Sequence, residues 1–308
     1  MEIGVMLGAG GEQQTLPALV EAAREIEAAG LDSIWMANIF SFDAIGALSV
    51  IGAATSRIKL GTAVVPSYPR HPVAMAQQAL TAAAASGNRF TLGIGLSHKL
   101  VIEDMFGMSY DKPASHMQEY LSLLMPLLRQ EAVTATNESY RINNVQFNAP
   151  GAKSVPVVVA ALGPRMLKIA GELSDGTNTW MVGPRTMKNH IVKGLTAGAQ
   201  GAGRPAPRVV AGVPIGLTMK PDALREQTAR DLVIYGQLPS YRAMLDREGA
   251  AGPADLALLG DENALRGAIQ RYQDAGVTEI NAAIVSEDDE GYERTLEFLA
   301  GLRGEDWQ

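Results

Sequence analysis

Twice this chain runs an apolar, strand-like stretch into the same three residues. The run 155–162 stops at Gly163-Pro164-Arg165, and the run 177–182 stops at Gly183-Pro184-Arg185. Glycine permits a tight turn, and proline suits the first position of a helix, where its missing N–H costs nothing. The amides of Gly163, Arg165 and Met166 then point away from the new helix. Free amides at a helix start, with an arginine beside them, favour an anion such as a phosphate. An ordinary helix start with Arg165 in solvent is the plainer alternative. Two such turns at neighbouring strand ends resemble a phosphate cradle. A third group able to do chemistry is His98, directly after the strand-like run 90–96. Near neutral pH an imidazole can donate a proton and be re-protonated from solvent. Glu103 and Asp104 stand behind it as fallback acids.

The remaining titratable residues point elsewhere. His71, in YPRHP, is placed to cap a helix or contact the rim; His116 faces either the site or solvent; His190 lies at helical spacing in a structural or solvated position. The chain has no cysteine, so neither a disulfide nor a thiolate metal site forms, and the histidines and acids lack metal-ligand spacing. No metal is expected. The N-terminal GAGG mimics a dinucleotide fingerprint but has Gln13 where the third glycine belongs.

The elements that position these groups alternate. Strand-like runs recur at 3–8, 32–37, 58–65, 90–96, 155–162, 177–182, 209–218 and 279–285, with amphipathic helical patterns between most of them. The segment 15–30 has a Thr15 cap, Pro17 in its first turn and Gly30 at its end; Asp261 and Gly276 bracket another helix in the same way. Eight strand–helix units predict an α/β fold, a closed (β/α)8 TIM barrel with loop insertions, whose chemistry sits at the C-terminal strand ends. The whole chain, 1–308, reads as one domain. A small hairpin at 133–151 and an extra segment at 235–261 are its insertions, there to shape a substrate site or to serve packing and dimer contact. A net charge of −7 without basic runs excludes a nucleic-acid footprint. The apolar start of the chain is too short for a membrane span or signal peptide. A cytoplasmic enzyme, working as a homodimer on a small molecule with neither nucleic acid nor membrane as partner, is expected.

Several blocks carry a family resemblance. IKLGTAVVPSYPRHPVAMAQQALTAAAASGNRFTLGIGLSHK (58–99) resembles the signature region of the bacterial-luciferase-like (β/α)8 superfamily. VPVVVAALGPRMLKIAGELSDGT (155–177) is similar to its branch that uses the deazaflavin coenzyme F420. Within that branch the blocks are most like methylene-tetrahydromethanopterin reductase, and less like the F420-dependent glucose-6-phosphate and alcohol dehydrogenases. The resemblance implies a non-proline cis peptide at Ala63-Val64 behind the deazaflavin ring. It places Leu96 and Ser97 against the ring or its ribityl chain. It rests the cofactor phosphate on Ala161, Gly163, Pro164, Arg165 and Met166 and on the loop Met181, Val182 and Gly183. Asn38 joins this cofactor-binding set.

Departures from the family narrow the reaction. Where its dehydrogenases carry a histidine base at the end of the second strand, this chain has Ala37-Asn38-Ile39. Where relatives place a catalytic carboxylate after the fourth strand, it has His98. The resemblance therefore implies an oxidoreductase working as a reductase, with hydride passing from reduced F420 to a C=C or C=N bond and His98 as the catalytic acid. Phe40, Tyr68, Met105 and Phe106, with Phe42, Tyr110 and Met117 nearby, suit a small apolar substrate. An FMN-dependent monooxygenase of the same superfamily is the alternative; its phosphate loop usually contains serine, which the Leu-Gly-Pro turn here lacks. A cofactor-binding protein without catalysis is a third reading, against which His98 speaks.

Overall fold

The computed structural model describes residues 1–8 and 15–303; the rest of the GAGG stretch, with Gln13, lies outside them. Eight parallel strands close on themselves: β1 (Glu2–Leu7), β2 (Ser33–Met36), β3 (Lys59–Thr62), β4 (Phe90–Gly95), β5 (Val157–Val159), β6 (Gly176–Trp180), β7 (Arg208–Leu217) and β8 (Glu279–Ile284). Each pairs with the next in chain order, and β8 returns to β1 with Ile3 opposite Ile280. The expected TIM barrel is the observed one.

The helices form where local chemistry starts and stops them. Thr15 accepts the N–H of Ala18 at 3.3 Å to open the helix Leu16–Ala29, and Gly30 closes it at φ 94°. Asp261 accepts the N–H of Ala264 at 2.9 Å to open Glu262–Asp274. Their apolar faces pack on the outside of the strands in one continuous core that includes Leu19, Ile26, Ile45, Leu80, Leu124, Leu167 and Ile269. Inside the barrel the packing differs. Trp35 lies against Gly61, where an added Cβ would sit 2.4 Å from its ring, and Trp180 lies against Gly212 at 3.0 Å. Two indoles thus occupy space that glycines leave on adjoining strands.

The N-terminal end of the barrel is sealed by charge. Glu279, 1% exposed, accepts from Arg208 at 2.8 Å, from the Trp35 indole at 2.6 Å and from the Ser33 hydroxyl. A cavity of about 950 Å³ opens beside it, lined by Asp32, Arg57, Arg89, Arg208, Glu279 and Arg303 among others. Arg303 meets Asp32 at 3.2 Å and Arg208 meets Glu279, so the charges there answer one another. This end of a barrel serves stability.

Two insertions stand out. The strands Val133–Thr136 and Arg141–Val145 form an antiparallel hairpin. Between β7 and the last two helices, the chain adds a helix, Pro239–Glu248, and a short strand, Leu258–Gly260, which pairs with the upper part of β7.

Candidate active site at the barrel mouth

The Gly163 turn is open, though not for the expected reason. Gly163 has φ −80° and ψ 154°, extended backbone that any residue adopts, so the turn does not need glycine. What glycine leaves is room: a Cβ there would meet nothing within 4 Å. No side chain among the described residues caps the helix Pro164–Leu173 that follows. Below the turn, buried Ala161 ends the strand run, and His190 Nε2 lies 2.7 Å from the Leu162 carbonyl oxygen, tying the turn to the next unit. Arg165 is exposed and donates to the Ser115 hydroxyl at 2.9 Å, while Met166 packs partly on the core.

The second turn is occupied from within. Glu248, at the end of the inserted helix, accepts the Arg185 N–H at 3.1 Å and the Thr186 N–H at 2.7 Å. Its carboxyl group lies where a Gly183 Cβ would be, 2.3 Å from its Cδ. The expectation of two anion-ready turns is therefore corrected: an internal carboxylate already uses these amides. Met181, at φ 50°, and Val182 are buried beside it.

At the third and fourth strand ends the backbone is irregular. The Ala63-Val64 peptide is cis, and the chain resumes pairing with β4 at Val65 and Pro66. Val64 lies against Gly95, where a Cβ would be 2.7 Å from its Cγ2. Leu96 and Ser97 follow, half-buried, with Ser97 at φ 59°. Asn38 reaches the same end from β2, but its side-chain oxygen accepts the Ala44 N–H at 3.1 Å, which leaves its amide hydrogens as the free donors.

His98 is half-buried, and burial pulls its pKa below the ordinary 6.5. At neutral pH the ring is mostly uncharged. Its neighbour is Tyr241 of the inserted helix, ring centroids 5.8 Å apart. Tyr241 meets Tyr235 at 5.3 Å, and Tyr235 meets Trp180 at 6.2 Å. An aromatic wall thus crosses the mouth from β6 to the residue after β4.

The substrate-pocket candidates separate into two groups. Phe40 and Phe106 touch edge to face at 6.2 Å on the rim, 64% and 40% exposed, with Met105 also exposed. Tyr68 is not with them. It stacks on His116 at 4.0 Å and on Tyr110 at 5.4 Å, and burial pushes its phenol well above the ordinary range. Tyr110 links this stack to the site by donating to the Ser97 carbonyl at 3.2 Å. His116 lies 3.0 Å from the Ser67 hydroxyl and is held below 6.5, chiefly by burial. Met117 is wholly buried core, and His71 caps its helix, accepting the Val73 N–H at 3.2 Å. Lys99 spans Glu103 at 3.6 Å, which makes that acid a surface partner. Among the described residues no three metal-ligating side chains cluster, and no helix is long and apolar enough to cross a membrane.

Sequence reasoning missed Glu248, Tyr241 and the His190 contact. The available signals were the unexplained length of the segment at 235–261 and a second glycine, Gly183, at a turn that could otherwise carry a side chain.

The chain is similar to known proteins in family and in fold. Residues 1–300 match the sequence family described as luciferase-like monooxygenase. A Mycobacterium tuberculosis protein named as a coenzyme F420-dependent oxidoreductase is 32% identical over 200 residues, 60% of this chain and 57% of that one. The chain thus spans little more than half the length of that relative. The 5,10-methylenetetrahydromethanopterin reductase of Methanolobus tindarius is 29% identical over 252 residues, 80% of this chain and 76% of the relative. The solved structure of the coenzyme F420-dependent tetrahydromethanopterin reductase from Methanopyrus kandleri superposes with a TM-score of 0.82 at 20% identity, covering 97% of each chain. It shares the fold.

Proposed function

Because the chain belongs to the luciferase-like monooxygenase family, we propose that it is a coenzyme F420-dependent oxidoreductase working as a reductase on a C=C or C=N bond of a small apolar molecule. The observation that carries the reading is the open, uncapped turn at Gly163, on the strand next to the one that half-buried His98 follows, at the C-terminal end of the barrel. The relative named as a coenzyme F420-dependent oxidoreductase and the one named as a reductase point the same way.

The residues fit the group. The amides of Gly163, Arg165 and Met166, without partners among the described residues, would hold its phosphate, and Ala63, Val64, Leu96 and Ser97 would hold its ring. Bound there, F420 supplies a two-electron hydride and no ready oxygen chemistry. The protein's share is orientation, a dry wall and a proton. Tyr241, Tyr235 and Trp180 exclude water on one side of His98. A desolvated, mostly neutral imidazole still carries one N–H, and its protonated fraction grows as pH falls. Ile39, 63% exposed, stands where dehydrogenases of the branch carry their base, so the reductive direction is favoured.

Fluorescence titration with F420 and with FMN tests the cofactor. Binding of F420 at micromolar affinity or tighter is expected, with FMN much weaker; equal affinity, or FMN co-purifying at full occupancy, overturns the assignment. Gly163→Val should weaken F420 at least tenfold, about 1.4 kcal/mol, in a folded protein. Rapid reduction of oxidised F420 by simple alcohols would reverse the proposed direction.

A further inference from the structure

The Gly-Pro-Arg motif occurs at two neighbouring strand ends, and its copies have opposite surroundings. Over Gly163 a side chain would meet nothing within 4 Å. Over Gly183 the same volume holds the carboxyl group of Glu248, whose Cδ, Cγ and Oε1 lie 2.3, 2.4 and 2.5 Å from an ideal Cβ. The two carboxylate oxygens accept the Arg185 and Thr186 amides, one each. These amides open the helical run 184–201, so the charge sits where the helix dipole favours an anion. Arg185 completes the clasp by donating to the Arg247 carbonyl at 2.5 Å. No other anion fits while Glu248 stays, and a phosphate beside it would meet a like charge.

We propose that Glu248 is a specificity-determining residue: it fills the anion place of the second turn from within the chain and confines a cofactor's phosphate to the turn at Gly163. This deepens the functional reading above and rests on it, because it says how that site sorts anions. Glu248 is carried by the helix that also carries part of the aromatic wall. It ends the helix Pro239–Glu248, whose Met244 and Leu245 are buried and whose Tyr241 stands against His98. The site is thereby built for one phosphate at a defined place rather than for a spread of anionic groups.

The test uses the full chain without cofactor, isotope-labelled for amide NMR and titrated with inorganic phosphate against a chloride control of equal ionic strength. In the wild type, saturable shifts are expected at Gly163, Arg165 and Met166 and none at Arg185 or Thr186. Glu248→Ala should gain shifts at Arg185 and Thr186. Glu248→Gln, which still fills the volume and offers a carbonyl oxygen, should gain few or none. Phosphate shifts at Arg185 and Thr186 in the wild type, or a folded Glu248→Ala that gains none, overturn the proposal. Should the alanine variant fail to fold, hydrogen exchange on the wild type decides: the Arg185 and Thr186 amides should exchange at least tenfold more slowly than those of Arg165 and Met166, and equal rates refute the seat. Absence of shifts at Gly163, Arg165 and Met166 in every protein would count against the Gly163 reading while leaving the Glu248 outcome readable.

Discussion

Replacing Gly163 and Gly183 by alanine, one at a time, should move the stability of this chain in opposite directions. Both glycines have extended backbone, φ −80° and −72°, which alanine adopts without strain. At Gly163 the new methyl group meets open space, so the main effect is a less disordered unfolded chain, worth about 0.4–1 kcal/mol in favour of folding. At Gly183 the same entropic gain is available, but the methyl would lie 2.3 Å from Glu248 Cδ. The carboxyl group must leave, and with it go two hydrogen bonds to a charged acceptor. Each is worth about 1.5–3 kcal/mol where water is excluded, and less for the half-buried Glu248, whose oxygens regain solvent. A net loss of about 1–2 kcal/mol remains after the entropic gain. The two variants should therefore differ by about 1.5–3 kcal/mol. Urea denaturation reads this directly if the slope m is unchanged; for a chain of this size each kcal/mol is also about 2 °C in Tm. Shifts of equal sign and size would show that Glu248 does not rest on Gly183, and the inference built on that contact would go with it.

Three further outcomes are expected. Burial holds His98 and His116 below the ordinary 6.5, so the unfolded chain binds more protons just below that pH. Their contribution to stability is complete above about 6.5 and is lost as pH falls from there through the folded values; a Tm-against-pH series on the wild type and on His98→Asn/His116→Asn checks it, the double variant showing the flatter acid limb. His98→Ala should lower the turnover number by about a hundredfold, in the range of a lost general acid, while F420 binding stays within a few-fold; steady-state kinetics showing full turnover would remove His98 from the mechanism. Asn281 is fully buried on β8, opposite Gly4 and Gly212, and neither atom of its amide has a partner among the described residues. Asn281→Leu, with the same number of side-chain heavy atoms, should raise Tm by about 2 °C or more by removing a desolvated polar group; a fall in Tm in thermal melts would show that the amide is satisfied.

How much of this was readable beforehand varied with how local the cause was. The barrel strands announce themselves because each is a short apolar run bounded by its own turn, and the caps at Thr15 and Asp261 act on amides three residues away. His71 as a helix cap was legible for the same reason. The strand at 157–159 is shorter than its apolar run at 155–162, because Pro156 has no N–H to pair and the chain is already turning toward Gly163. Gly163 itself illustrates the limit: glycine suggested backbone freedom, whereas the structure uses only its lack of a side chain. Glu248 was marked only indirectly, by the length of its segment and by Gly183. It lies 63 residues from Arg185, and nothing around it marks it as different from any exposed glutamate at a helix end. Tyr241 was hidden likewise, since its partner His98 belongs to another quarter of the barrel.

The inserted segment leaves the barrel and comes back to the same strand. β7 runs on past its pairing with β6, and its upper residues Ile215, Gly216 and Leu217 receive Leu258, Leu259 and Gly260 alongside them. Within the segment, Arg242 ties back to the carbonyls of Ala250 and Ala251, and Asp255 accepts the amides of Ala251 and Gly252. Such a piece behaves as a cassette: its length and content can change between two docking points on one strand without altering the shear or closure of the barrel. The cofactor turns and the histidine stay in the frame, while the wall of the mouth rides on the exchangeable part. Grafting a different segment between 232 and 258 would therefore change the wall at Tyr241 and the Glu248 contact with Arg185 and Thr186 together, while the barrel strands stay as they are.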